Sequence, residues 1–172
     1  MYGSPTGGMP FLDLCPDDEA VVGLQGNLSA HEMPALVLGA IQATCASMAA
    51  DPSSGQVTTT PGAVLGVQGT SAAGAWTQTC PAGQVVVGFV GRSGVAVDRA
   101  AFECASLTVN LETGSFSMGP LVALPAAGGD GGQPFQSECP VGQLARGLVG
   151  RSGTWIDELG LACASPALSG SD

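Results

Sequence analysis

The sequence predicts an all-β protein of three Greek-key repeats arranged with pseudo-threefold symmetry, and three observations carry that prediction. The segment CPAGQVVVGFVGRSGVAVDRAAFECAS from Cys80 is rewritten as CPVGQLARGLVGRSGTWIDELGLACAS from Cys139, 59 residues later. Six cysteines fall at 15, 45, 80, 104, 139 and 163, one pair to each third of the chain. Apolar runs are short, β-branched and closed by glycine or proline, the pattern of strands and turns. A unit repeated at a fixed period must bury its apolar face against its own copies, so the repeat bears on architecture before any single residue does.

The repeat extends beyond the opening segment. At the same offset, the stretch from Ala46 aligns without a gap on that from Ala105, pairing Gly55 with Gly114, Pro61 with Pro120 and Trp76 with Phe135. Phe11, Trp76 and Phe135 each stand four positions before the first cysteine of a pair. The units therefore run approximately 1–50, 51–109 and 110–172 within a single domain. The first is irregular: Gly26 to Cys45 spans 19 residues where Gly91 to Cys104 spans 13, an insertion of six. Counting back from the second cysteine places Gly39 where the other units have Asp98 and Asp157.

Within the units, strands are expected over Val85–Val90, Leu107–Leu111 and Leu121–Leu124. Only Glu32–Cys45 is long enough to suggest a helix, and Pro34 and Gly39 interrupt it. About 59 residues with several strands suit a small antiparallel Greek key.

Composition narrows the function classes. The 172 residues contain no lysine and four arginines against 14 acidic residues, a formal charge of −10. Neutralising phosphates needs stripes of Lys and Arg, so nucleic acid and anionic membranes are poor partners. No apolar run approaches the roughly 20 residues of a membrane span. There is no basic, hydrophobic leader, so a signal has been removed or the chain has none. None of the cysteines shows CxxC spacing, and an even, symmetric set reads as a disulfide framework formed in an oxidising, extracellular compartment. Symmetry leaves two simple pairings, within repeats or cyclically between neighbours; the first (Cys15 with Cys45, Cys80 with Cys104, Cys139 with Cys163) is preferred. Each such bridge is worth roughly 3 to 4 kcal/mol.

Catalysis finds little support. His31 is the one histidine, and it lies in the insertion that the other repeats lack. Asp98 and Asp157 belong to different repeats, too far apart by symmetry for a glycosidase pair. Asp17, Asp18 and Glu19 lack calcium-loop spacing, so neither a metal nor any other cofactor is expected. Asn27-Leu28-Ser29 is a glycosylation acceptor only in a host that glycosylates.

What remains is GRSGxxxD, present twice. A neutral hexose offers vicinal hydroxyls that donate and accept. A site for it needs an acceptor carboxylate and several backbone N–H donors, brought close by residues without bulky side chains. The bonds to an ionised aspartate are charge-assisted and about twice as strong as neutral ones. The same residues also have a purely structural reading, glycines for positive φ and Asp and Ser for local turns.

With the glycine-rich lead GGDGGQPF (Gly128 to Phe135) followed by RSGTWID (Arg151 to Asp157), the chain resembles the jacalin-related lectins of the griffithsin-like kind, and its cysteine frame is similar to that of the vitelline membrane outer layer proteins. The resemblance implies a β-prism I fold of three Greek-key sheets. It further implies that Asp157 receives two sugar hydroxyls, that Thr154 and Trp155 donate N–H groups, that Gly153 permits the turn, and that Trp155 flanks the sugar's apolar face. The second site would use Asp98, Gly94, Val95 and Ala96. The facing glycine loop would come from the next repeat: Gly131 and Gly132, within the Gly128–Gly132 loop, opposite Asp98, and Gly7 and Gly8 opposite Asp157. The first unit departs from the pattern, with Gly39 for the aspartate and Ala73 where its facing loop would have glycine. Two functions follow as expectations. One is a secreted, non-enzymatic lectin for mannose-type glycans. The other is a structural coat or matrix module; either admits a homo-oligomer.

Overall fold

A computed structural model of the chain describes residues 1–30, 36–70 and 74–168. His31, Pro34 and Ala73, named above, lie outside the described residues. The strands are β1 (Tyr2–Gly3), β2 (Met9–Leu14), β3 (Glu19–Ala30), β4 (Leu36–Ala50), β5 (Val57–Val64), β6 (Gln68–Gly69), β7 (Ala75–Thr79), β8 (Gln84–Ser93), β9 (Val97–Val109), β10 (Phe116–Met118), β11 (Val122–Ala123), β12 (Ala127–Gly128), β13 (Gln133–Glu138), β14 (Leu144–Ser152) and β15 (Ile156–Ala164). No helix occurs among the described residues. From Leu36 onward the Glu32–Cys45 stretch is part of β4, with Val37, Leu38, Ile41 and Ala43 buried.

The strands form three antiparallel sheets, each around one long hairpin: β3–β4, β8–β9 and β14–β15. The first sheet has the order β5-β4-β3-β7 with β6 also on β4. The second has the order β10-β9-β8-β13 with β11 and β12 also on β9. In each, the strand after the hairpin pairs with the hairpin's second strand and a later one, β7 or β13, returns to the far side of its first strand, the Greek-key connection. The third sheet, β1-β15-β14-β2, takes its outer strands from the N-terminal segment. Each sheet thus combines the hairpin of one sequence unit with strands from the lead of the next, and the last closes on the first.

The inward faces meet in one core. Leu24, Leu38 and Ile41 of the first sheet, Phe89 and Phe102 of the second, and Leu148, Ile156 and Leu159 of the third belong to a single buried cluster. The aromatic before each cysteine pair has a shared role. Phe11, Trp76 and Phe135 pair in register with Gly150, Gly26 and Gly91. A Cβ on those glycines would stand 3.1, 2.9 and 2.8 Å from the respective ring, so glycine is what lets each ring lie across the neighbouring strand. Cys15–Cys45, Cys80–Cys104 and Cys139–Cys163 are the disulfides, the within-repeat pairing.

Small features repeat as well. Gly55 and Gly114, aligned in sequence, both adopt positive φ, 72° and 69°, closing matching turns after β4 and β9. The turn-opening residue is Asp51 in one and Asn110 in the other, each accepting N–H groups from residues two and three positions on. The Ser53 hydroxyl, then the Ser53 and Ser54 N–H groups, hold the exposed Asp51 carboxyl down to about 2.

Candidate functional site

The aspartates are positioned by a backbone irregularity common to the three hairpins. Between Arg151 and Ser152 the register of β14 on β15 shifts, so that Asp157 has no opposing residue; between Arg92 and Ser93 the same shift leaves Asp98 unopposed on β9. A bulge of this kind re-aims one side chain out of the alternating pattern. The first hairpin has the bulge too, between Asn27 and Leu28, and the unopposed residue there is Gly39.

Around each aspartate the chain builds the same cage. Gly7 and Gly8 lie against the Asp157 carboxylate so closely that a Cβ on Gly7 would fall on its Oδ1, and one on Gly8 (φ 47°) on its Oδ2 and the Ser152 carbonyl. Gly131 and Gly132 (φ 62°) stand in the same relation to Asp98 and Ser93. From the other side, a Cβ on Gly153 would stand 3.6 Å from Asp157 Oδ2, and one on Gly94 would stand 3.7 Å from Asp98 Oδ2. Both carboxylates are buried, each residue 8 % exposed. The Oδ2 of Asp157 is enclosed and accepts no hydrogen bond.

The turn residues are fixed alike and clothed differently. The Gly153 N–H donates to the Trp155 carbonyl and the Gly94 N–H to the Ala96 carbonyl, both at 2.9 Å. Thr154 is exposed and Trp155 half-buried, whereas the matching Val95 is 65 % exposed and Ala96 is buried. The structure therefore brings Asp157 together with Gly7, Gly8, Gly153, Thr154 and Trp155, and Asp98 with Gly94, Val95, Ala96, Gly131 and Gly132.

Sequence reasoning missed the arginine of GRSG. Arg151 donates from Nε to the Gly7 carbonyl at 2.5 Å and from Nη2 to the Gly8 carbonyl at 2.8 Å. Arg92 donates to the carbonyls of Gly131 and Gly132 in the same way, at 2.8 Å each. A guanidinium presents its donors in a rigid fork, which suits two successive carbonyls. Since each peptide is planar and trans, fixing a carbonyl also fixes the direction of the following N–H. Two of only four arginines falling at one repeat position was the available signal; Asn27 occupies that position in the first unit.

The chain is similar to Calystegia sepium agglutinin (TM-score 0.62, 16 % identity, covering 96 % of this chain and 94 % of that one). It is also similar to Calsepa lectin in complex with a biantennary N-glycan (0.58, 16 %, 96 % and 94 %) and to Malaysian banana lectin (0.56, 15 %, 95 % and 94 %). The fold is the β-prism of these lectins. No protein-family model matches the sequence, and no curated protein matches it. At this identity the β-prism likeness speaks for architecture, and the chemistry rests on the cages themselves.

Proposed function

We propose that the chain is a carbohydrate-binding protein of the lectin type, acting outside the cell on neutral, mannose-type glycans through the Asp157 and Asp98 sites. The observation that carries this reading is the enclosed Asp157 Oδ2 without a donor, roofed by residues that have no side chains. Leaving a buried acceptor unpaired costs about 1 to 3 kcal/mol, more when it is charged, and a ligand hydroxyl reaching over the glycines removes that cost. The N–H groups of Thr154 and Trp155, in the turn beside this carboxylate, supply the donors in this reading, and a hexose matches a mixed set of one strong acceptor and several donors. Duplication of the cage supports a multivalent binder, in which two weak sites on one rigid body gain avidity. The β-prism lectin neighbours are in keeping with this reading, and three disulfides suit an oxidising compartment.

A glycan array tests it. Asp157→Ala removes two charge-assisted hydrogen bonds and should lower binding about 100-fold, from roughly 1.5 kcal/mol or more per bond. Asp98→Ala should reduce avidity, the double variant should bind nothing, and a chelator should have no effect. Full binding by a correctly folded double variant would falsify the reading.

A further inference from the structure

The first sheet, whose bulge carries Gly39 in place of an aspartate, sends its β6 loop into the Asp157 site. Thr70 Oγ1 donates to the Gly153 carbonyl at 3.2 Å, and the Ser152 hydroxyl donates to Gln68 Oε1 at 3.2 Å. Gln68 is itself held, its Nε2 donating to Asp13 Oδ2 at 2.9 Å. Between them, Gly69 packs on Ile156, the residue before Asp157; a Cβ there would stand 3.0 Å from Ile156 Cδ1. The loop is tied to its own sheet by the Thr70 N–H, which donates to the Gly39 carbonyl at 3.0 Å.

That backbone bond recurs in the other two sheets, where the Gly129 N–H donates to the Asp98 carbonyl and the Ser4 N–H to the Asp157 carbonyl, both at 2.8 Å. The side-chain bonds do not recur. Ala127 and Gly129, which match Gln68 and Thr70 in the second sheet, have no polar side chain. In the third, the Tyr2 hydroxyl donates to the Gln136 carbonyl at 2.8 Å and the Ser4 hydroxyl pairs with that of Thr6 at 3.3 Å.

We infer that Gln68 and Thr70 are positioning residues for the Asp157 site: the sheet that lacks its own bulge aspartate holds its neighbour's binding turn. The carbonyl that Thr70 engages belongs to the peptide whose N–H is that of Thr154. Fixing one end of a planar peptide fixes the other, so the Thr70 hydroxyl sets the direction of the Thr154 donor. Gln68 fixes the Ser152 side chain one residue earlier, and the turn is held at two consecutive positions. The ligand in this inference rests on the carbohydrate reading; the geometry does not.

The test uses the whole protein, with backbone amides followed by NMR during titration with methyl α-mannoside. In Thr70→Val and in Gln68→Ala, the Thr154 and Trp155 amides should shift and exchange with solvent at least fivefold faster. Mannoside affinity at that site should fall about fivefold. The Val95 and Ala96 amides, the affinity of the Asp98 site and the melting temperature should stay as in the parent, and Thr70→Ser should retain parental behaviour. Unmoved Thr154 and Trp155 amides in both variants, or equal weakening at both sites, would overturn the inference. If the parent binds no mannoside while those amides respond as described, the carbohydrate reading fails and the positioning role stands.

Discussion

The Asp157 and Asp98 sites share a backbone and differ in what holds and clothes it. Bulge, buried carboxylate, glycine pair and arginine fork are the same at both. Around Asp157 the turn carries Thr154 and Trp155 and is propped by Gln68 and Thr70. Around Asp98 it carries Val95 and Ala96, and the additional support goes to the facing loop, where Arg99 pairs with Asp130 at 2.9 Å. An aspartate at the bulge is therefore one component of the cage. The rest is the means of holding two loops, distant in sequence, in one arrangement, and each site has solved that with different residues.

The arginine forks offer the sharpest way to break the comparison. Arg151→Ala removes two charge-assisted bonds to Gly7 and Gly8, each worth about 1.5 to 3 kcal/mol. Part of that loss should appear as freedom of the facing loop, weakening the Asp157 site about 20-fold. Arg92→Ala should weaken the Asp98 site less, about fivefold, because the Arg99–Asp130 pair tethers the Gly131 loop a second time. Among the described residues it is the one ion pair, so the Gly7 loop has no equivalent. Lysine at either position should not restore binding, since a single ammonium cannot span two carbonyls as the fork does. Site-resolved amide titrations measure both; equal losses would mean that the second tether counts for nothing.

A smaller effect separates the two sheets by pH. On the second sheet Gly88 pairs with Glu103 on one side and Glu138 on the other; on the third, Gly147 has Ala162 and Leu14 in those places. Burial, and then the neighbouring Glu138 carboxylate, raise the Glu103 pKa above the ordinary glutamate range. Below that range the group is protonated in both the folded and unfolded chain and costs nothing. Above the raised value the folded chain holds a buried charge, so stability falls as pH rises through the window between the two. Glu103→Gln should therefore raise the melting temperature at pH 7 by about 2 °C, for roughly 1 kcal/mol or less, and give no gain near pH 3.5. Thermal unfolding at the two pH values reads this directly, and a gain that persists in acid would refute the burial argument.

Much of the fold is legible in the sequence because the repeats impose it. The offset of 59, the cysteine pairs and the aromatics four positions before them can be read directly, whereas the glycines that those aromatics face emerge only from the strand registers. Strand limits are less legible. The run expected over Leu107–Leu111 stops at Val109, where the Asn110 side chain starts capping the turn. That over Leu121–Leu124 shrinks to Val122–Ala123, although the Leu124 N–H still bonds Phe102. The arginine fork and the Gln68–Thr70 prop were not legible. Arg151 meets Gly7 across 144 residues and Thr70 meets Gly153 across 83, and no local pattern reports which carbonyl a long side chain will find. The closure of the third sheet by β1 and β2 creates the first of those meetings, and the second joins the end of β6 in the first sheet to the turn between β14 and β15.

The least effect on binding is expected where the sequence invites the simplest repair. Gly39→Asp restores the missing aspartate at a bulge that is already present, and if the carboxylate were the site, a third one should appear. It should not. A Cβ at Gly39 would stand 2.9 Å from Ser29 Cβ and 3.2 Å from both the Leu28 carbonyl carbon and the Ser29 nitrogen, so a side chain there must displace its neighbours. Asn27 has no guanidinium fork to offer two carbonyls, and the Thr70 hydroxyl is engaged with Gly153. Calorimetry of the variant should still give two sugars per chain. A third would mean that the aspartate organises its own cage, and the account of held loops would have to be withdrawn.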